Sequence, residues 1–487
     1  MDLRTAQDIY RQGEAFTVAY LIKQEANYQG LLVVIEEKEK QIALLKKNSR
    51  TSSKPPSSDD LTKKSHREKE PQKGKKGAQK GHAKHARLPF TDDEIDESIS
   101  YQLFSCPRCK STDTILQSDQ PVRTIQQIEL KEMPVVIKEF KVYAIWCDHC
   151  QSFHEAAIPE QILKSGLFGE KMTALVAYLK YVCHASFSTI RKFFRDILQI
   201  KISRGYLVKL INKVSEALKS TYLELLHRLP LEEVLKVDET GHKNNGDRFW
   251  TWVFKADLYV LFKVDKSRGS KVLIEVLGEN FNGVLSCDYF SAYRKFMQDF
   301  NVTVQFCLAH LIRNIRFLTT ITEPLTQKYA NNLLAAIKDM FRLIHEKEKM
   351  TSADFFNQTQ IAKRKILSAA TVNAPSKLDE NGKEKLTEVK NMVDRFTKFG
   401  EAYFEFITTP GVDPTNNLAE QAIRFIVIDR HITQGTRSDS GQRASERIWT
   451  VIGTCQLQGR SAFDFLHAAV VSFFRGTKSP SLLVDTG

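Results

Sequence analysis

Five short apolar runs between Glu233 and Cys307 constrain this chain more than any other feature. EVLKVD, RFWTWVF and LYVLFKV follow one another at hairpin spacing, whereas VLSCD and TVQFC are set apart by stretches long enough for helices. β-Branched and aromatic residues dominate each run, as on a buried pleated surface. Antiparallel strands need only a turn and parallel strands need a crossover, so the order predicts three antiparallel strands followed by strand–helix alternation. In FWTWVF the aromatics occupy both faces, which makes Trp250 and Trp252 core residues rather than stacking groups for nucleic acid.

Three carboxylates punctuate this pattern. Asp238 ends the first run and Asp288 the fourth, so each is expected at the exit of a buried strand. Glu420 lies in DPTNNLAEQAIR, where Asp413 as cap and Pro414 at the first helical position open a helix. Any one of them alone is as readily a turn residue; together they suit a pair of divalent cations serving in-line displacement at phosphorus. Mg²⁺ or Mn²⁺ takes hard oxygen ligands and keeps waters, so a few carboxylates suffice. Asp238 is the natural bridging ligand, with Asp288 on one ion and Glu420 on the other. The expected fold class is multidomain, with an α/β ribonuclease-H-like catalytic core.

Basic residues surround these positions. Arg424 is spaced to meet either a phosphate or Glu420 itself one turn away. Beyond it, RFIVIDRHITQGTRSDSGQRASER supplies Arg430, His431, Arg437, Arg443 and Arg447, with turns at Gly435 and Gly441 that let amides approach phosphates. Arg424, Arg430 and Arg437 are the candidate DNA contacts here. In CLAHLIRNIRF, beside Arg313, His310 is either a metal or phosphate group or a satisfied core histidine. A mostly helical segment, about 319–406, separates the fifth strand from the Glu420 helix.

The remaining chain divides by composition. Residues 1–48 read as an N-terminal helix whose seam (Leu21, Gln24, Tyr28, Leu31, Ile35, Lys38, Ile42, Leu45) suits a short coiled coil and self-association, or else a lone amphipathic helix. Residues 49–89 form a Ser/Pro/Lys-rich linker, with ten Lys or Arg against two Glu between Leu61 and Arg87. That block, Lys75 and Lys76 included, cannot collapse and is drawn to polyanions. In residues 90–160, Cys106 and Cys109 (CPRC) and Cys147 and Cys150 (CDHC) flank 37 residues of alternating pattern. Paired Cys-x2-Cys knuckles suit structural Zn²⁺ in a ribbon-like module, the rival reading being redox-active or free thiols. Residues 161–230 hold three helical patterns, with Ser188 and Ser203 as caps, forming either a helix-turn-helix or a support for the catalytic domain at 231–475.

The net charge of +13 favours nucleic acid as partner. The absence of a long apolar run and of a signal pattern predicts a cytoplasmic, nucleoid-associated protein without a membrane span.

NSRTSSKPPSSD, the pair CPRC and CDHC, VDET at Asp238, CDYFSAY at Asp288, CLAHLIRN, and PTNNLAEQAIR at Glu420 together resemble the transposases of the insertion-sequence-sixty-six type. The resemblance implies a bacterial DNA transposase that binds terminal inverted repeats, then cuts and joins strands with Mg²⁺. It also implies small accessory proteins encoded by the same element. The chain departs from the family at Tyr289, where Gly is common, and at Gln421, where Arg is common. Two rival expectations are a non-catalytic DNA-binding regulator on the same scaffold and a nuclease that cuts without joining.

Overall fold

The computed structural model describes residues 3–45, 89–101, 103–104, 107–112, 121, 123–128, 130–131, 134–372, 377–378, 384–385 and 387–483. Contacts divide the chain into two units, residues 1–59 with 141–487, and residues 60–140. The second unit has little regular structure among its described residues, beyond one turn of 3₁₀-helix at Asp92–Glu94.

In the first unit, α1 (Leu3–Arg11) and α2 (Glu14–Leu45) are separated by Gly13, whose φ of +97° suits the break between them. Leu21, Tyr28, Leu31 and Ile35 of the predicted seam are exposed along α2. A hairpin of β1 (Ala144–Cys147) and β2 (Ser152–Glu155) follows. The strands expected at TIQQIEL and across VVIKEFKVY do not form among the described residues: only the AIWC end of that pattern pairs, and residues 123–128 are exposed with no sheet to complete.

Five helices come next: α3 (Glu160–Ser165), α4 (Glu170–Tyr181), α5 (Phe187–Asp196), α6 (Arg204–Ala217) and α7 (Lys219–Arg228). Ser203 caps α6 through the Tyr206 N–H. The cap of α5 is Ser186, which accepts the Thr189 N–H, and not Ser188, which already lies inside the helix.

The sheet contains β3 (Val234–Asn244), β4 (Asp247–Lys255), β5 (Val260–Asp265), α8 (Lys271–Leu277) as a connection, β6 (Val284–Cys287), α9 (Ser291–Phe300) and β7 (Thr303–Phe306). Its strand order is β5-β4-β3-β6-β7. The β3–β4 and β4–β5 pairs are antiparallel, while β6 runs parallel to β3 and β7 parallel to β6. After β7 come α10 (Leu308–Leu318), the paired α11 (Pro324–His345) and α12 (Ser352–Ala370), α13 (Glu388–Phe399), α14 (Asn417–Thr433), α15 (Asp439–Leu457) and α16 (Ala462–Arg475).

The edge strand β5 is closed by α15. Gln442, Glu446, Thr450 and Thr454, four residues apart and buried, face its backbone. Thr454 Oγ1, Thr450 Oγ1 and Glu446 Oε1 accept the N–H groups of Val260, Phe262 and Val264 at 3.2, 3.0 and 2.6 Å. Gln442 Nε2 donates to the Val264 carbonyl at 2.9 Å. A helix thus takes the place of a further strand, which removes an edge open to aggregation. α6 packs against α4, α15 and α16, and Arg447 of α15 donates to the Ser215 carbonyl of α6 at 3.0 Å. The third helix of residues 161–230 thus packs through one face, while Arg204, Val208 and Lys209 on it are exposed.

Candidate active site

The apolar pattern leading to Asp238 is set by Leu235 and Val237, both fully buried in β3. Asp238 itself is not at the end of its strand, contrary to expectation. The antiparallel ladder with β4 continues to Asn244↔Asp247, whereas the parallel ladder with β6 ends at Lys236↔Ser286. Asp238 emerges where the sheet splits, and Asp288 directly follows Cys287, the last residue of β6.

Glu420 lies in the first turn of α14, which starts later than expected, at Asn417. Asp413 does not cap it but pairs with Lys236 at 2.9 Å, and the Pro414 carbonyl accepts the Leu308 N–H at 2.9 Å. Asn416 is 1% exposed, and its Nδ2 donates to the Val237 carbonyl at 2.8 Å. One side chain thereby ties the start of the Glu420 helix to the strand residue preceding Asp238. Its backbone N–H donates to Cys307 Sγ at 3.2 Å.

These carboxylates repel one another in a partly buried place. Burial raises Asp238 well above the usual carboxylate range, and the nearby charges of Glu239, Asp288 and Glu420 push the same way, against the Glu239 N–H donated to it. Burial also raises Asp288, opposed by the Phe290 N–H at 2.9 Å and by Arg268 and Arg395. Glu420 meets Arg313 Nη2 and His310 Nδ1, each at 3.5 Å, rather than Arg424, which is exposed. Burial lowers the His310 pKa to about 4, helped by Arg313 and Arg395, so the imidazole is neutral near pH 7.

Glu239, Arg268, Tyr293 and Arg395 contribute to this site and are not among the residues the sequence singles out. Glu239, its side chain 2% exposed, accepts Arg268 Nε and Nη2 at 3.0 and 2.7 Å and a short hydrogen bond from the Tyr293 hydroxyl. Burial and Asp288 raise its pKa to about 7. Arg268 lies over the rings of Trp250 and Phe290, 4.4 and 3.9 Å from their centroids. Trp250 is thus only half-buried and sandwiched with guanidinium, because the β4 end that bears it is exposed; Trp252 is fully buried core. Arg395 of α13 stacks on Tyr289 at 3.8 Å and donates to Asn314 Oδ1 at 3.1 Å. Tyr289 is held between Arg395 and Arg294. The signals available were that Glu239 follows Asp238 in VDET and that Tyr293 ends CDYFSAY; Arg268 and Arg395 have none.

The basic residues along and after α14 are placed in different ways. Arg430 donates to Thr240 Oγ1 at 3.1 Å and to the Gly241 carbonyl, joining α14 to β3. Arg437 and His431 are exposed. Arg443 pairs with buried Glu446 at 2.9 Å, and Arg447 with Glu216 at 2.6 Å. Gly435, at φ +89°, brings its backbone against the Lys243 carbonyl of β3, and Gly441 lies inside α15, so neither is the open turn that was expected.

Cys106, Lys75 and Lys76 lie outside the described residues. In the β1–β2 hairpin, N–H groups of Cys150 and His149 and the Cys150 thiol hold the Cys147 thiol below its ordinary pKa. Cys150 Sγ is 3.0 Å from His154 Nε2. The residues immediately after Cys109 and Cys150, Lys110 and Gln151, both adopt left-handed backbone, at φ 62° and 52°.

Comparison with known proteins places these observations in context. A family model described as transposase IS66 family matches residues 165–444. A second model, described as a family of unknown function, matches residues 4–88. The chain is 23% identical over 352 residues to the uncharacterized protein y4qI of Sinorhizobium fredii (strain NBRC 101917 / NGR234). That match covers 66% of this chain and 62% of the relative, so the chain spans less than two-thirds of the relative's length.

Proposed function

The chain belongs to the IS66 transposase family, and from that premise we propose that it binds the ends of an insertion sequence and catalyses DNA strand cleavage and strand transfer through Asp238, Asp288 and Glu420. The observation that carries this reading is the convergence of three carboxylates from separate elements in a place where burial and mutual repulsion raise Asp238 and Asp288. A strand order of β5-β4-β3-β6-β7, with three antiparallel strands and two added in parallel, supports a ribonuclease-H-like core.

The residues fit divalent cations. Glu420 Oε1 is buried without a hydrogen-bond partner, and Asp238, Glu239, Asp288 and Glu420 bring four carboxyl groups together beside Arg268, Arg313 and Arg395. Asp238 would be shared between two ions, with Asp288 and Glu420 each completing one set of ligands. Bound Mg²⁺ or Mn²⁺ supplies Lewis-acid activation of the attacking oxygen and stabilises the leaving oxygen. The chain itself holds the three ligands in register: Asn416 locks α14 to β3, and backbone N–H groups orient Asp238 and Asp288. Arg313 restrains Glu420 from the side of α10. A 3′-hydroxyl released by cleavage is then the nucleophile for joining.

The same reading assigns DNA phosphates to exposed Arg424 and Arg437, to Arg430 at the edge of the site, and to Lys75 and Lys76 of the linker. It assigns structural Zn²⁺ to Cys106, Cys109, Cys147 and Cys150, supported by the left-handed residue after each knuckle and by the lowered Cys147 thiol. The exposed apolar seam of α2 suits pairing with a second copy of the chain.

Incubation of the protein with labelled element ends, with Mg²⁺ or Mn²⁺ and with EDTA, tests the proposal. Metal-dependent cleavage and joining, lost in Glu420→Gln, is the expected result. Binding without metal-dependent cleavage, in the presence of the element's companion proteins, overturns it in favour of a regulator; cleavage without joining to a target plasmid favours a nuclease.

A further inference from the structure

We propose that Cys307, His310 and Glu420 form a second cation site, suited to a thiophilic divalent ion of the Zn²⁺ class, whose occupation withdraws Glu420 from the carboxylate cluster. One sulfur, one nitrogen and one oxygen donor from these residues all lie within 4.8 Å of one another. Ligand atoms about 2.0–2.3 Å from a tetrahedral ion stand roughly 3.3–3.8 Å apart, so modest side-chain movement closes the shell. Three protein ligands leave the fourth position to water.

Two of the donor atoms are buried without a hydrogen-bond partner. His310 is 8% exposed, and its Nδ1 has no hydrogen-bond partner. It faces Glu420 Oε1, 3.5 Å away, which is also buried and unpartnered. Arg313 occupies the opposite sides of both groups, at 3.5 Å from Glu420 Oε2 and 3.2 Å from His310 Nε2. The free edges therefore face each other, and Cys307 Sγ, at the start of α10, accepts the Asn416 N–H at 3.2 Å and lies within 4.8 Å of a donor atom of each residue.

Donor chemistry separates this site from the carboxylate cluster. Mg²⁺ prefers oxygen and gains nothing from a thiol, whereas thiolate and imidazole select Zn²⁺ and related ions. Uptake of the ion releases the Cys307 proton to solvent. Coordination through Nδ1 puts the ring proton on Nε2, so the Arg313 contact there must open. Arg313 thus opposes occupation, and the competition with Mg²⁺ follows because Arg313 faces Glu420 Oε2 at 3.5 Å, so turning Oε1 to this ion takes the carboxylate's other oxygen away from the cluster. This last step rests on the proposed role of Glu420; ion binding does not.

Co²⁺ titration of the full-length protein, without DNA, reads the site directly through a thiolate-to-Co²⁺ charge-transfer band. A component of the band is expected to disappear in Cys307→Ser and His310→Gln, to persist in Asp288→Asn and in Cys106→Ser with Cys147→Ser, where the CPRC and CDHC thiolates no longer contribute, and to appear at lower Co²⁺ in Arg313→Met. A band unchanged in Cys307→Ser overturns the site and assigns the thiolates to CPRC and CDHC. Should Cys307→Ser not fold, His310→Gln decides: loss of that component supports the site and retention overturns it. In the cleavage assay, Zn²⁺ should inhibit competitively with Mg²⁺, and whatever cleavage remains in Cys307→Ser should be insensitive to Zn²⁺. A Cys307-dependent band with no Mg²⁺-dependent cleavage leaves the site standing and removes the transposase mechanism. Cleavage that Zn²⁺ leaves untouched overturns the withdrawal of Glu420.

Discussion

The carboxylate cluster and the CDHC hairpin are built on opposite physical terms. Asp238, Asp288 and Glu239 are held by a scaffold of fully buried residues such as Leu235, Val237, Trp252 and Tyr293, which forces like charges together at the cost of raised pKa values. Cys147 and Cys150 belong to a four-residue-per-strand hairpin in which Ile145, Trp146 and Phe153 remain exposed. Packing makes the first site and tolerates its repulsion. The second has little packing to make it, and on the proposed zinc site its order would come from what its thiolates bind.

The largest expected effect lies in the cluster. Asp238→Asn, Asp288→Asn and Glu420→Gln should each reduce cleavage by about 10³-fold or more, the scale for groups acting mainly in the transition state. Binding of element ends, followed by gel shift, should change little. Retained cleavage in any one of them removes that residue from the site.

Metal removal contrasts the two regions more sharply. A thiol-competing chelator, or Cys147→Ser, should strip Zn²⁺ and expose residues 90–160 to protease while residues 165–475 stay folded. Loss of both regions together would show that the sheet depends on the thiolates, and the contrast would fail.

The cluster's repulsion also has a pH signature. Glu239 has a folded pKa of about 7, above its ordinary value of 4.5, and Asp238 and Asp288 are raised too. The folded state therefore holds protons that the unfolded state has released, so metal-free stability falls as pH rises from about 4.5 through 7. Calorimetry should find Asp238→Asn more thermostable than wild type at pH 8 without metal, by a few degrees at about 2–4 °C per kcal/mol. The advantage should vanish near pH 4.5, and its presence there would point to packing instead of charge.

Asn416→Ala probes the link between α14 and β3. Removing the Val237 contact leaves a buried carbonyl unpaired, at a cost of about 1–3 kcal/mol in denaturant unfolding, and cleavage should fall with it. An unchanged rate would mean that Glu420 is positioned by Arg313 alone. The smallest effect is in the linker: Lys75→Gln with Lys76→Gln should make the slope of log K against log salt shallower by about 2, without altering sequence preference.

Much of the core was legible because strand composition and spacing are local properties. All five runs became β3–β7, and Asp288 follows the last residue of its strand as its apolar run implies, whereas Asp238 lies within β3 because the ladder with β4 continues past it. The start of the Glu420 helix was read one turn early because Asp413 and Pro414 carry a cap signature, while Lys236 across the fold claims Asp413. Trp250 was read as core because alternation does not reveal which end of a strand its neighbours leave open.

The sequence by itself determined the strand–helix order, the acidic residues available for a metal site, the cysteine knuckles and the basic linker, since each is encoded in neighbouring residues. Tertiary structure alone decided which partners those residues meet. Gln442, Glu446, Thr450 and Thr454 become a substitute for a missing strand only because α15 lies along β5. Arg313, Cys307 and His310 reach Glu420 only because α10 lies beside α14's first turn, more than a hundred residues later in the chain. Such contacts depend on long-range packing, and no local pattern of hydrophobicity or charge records them.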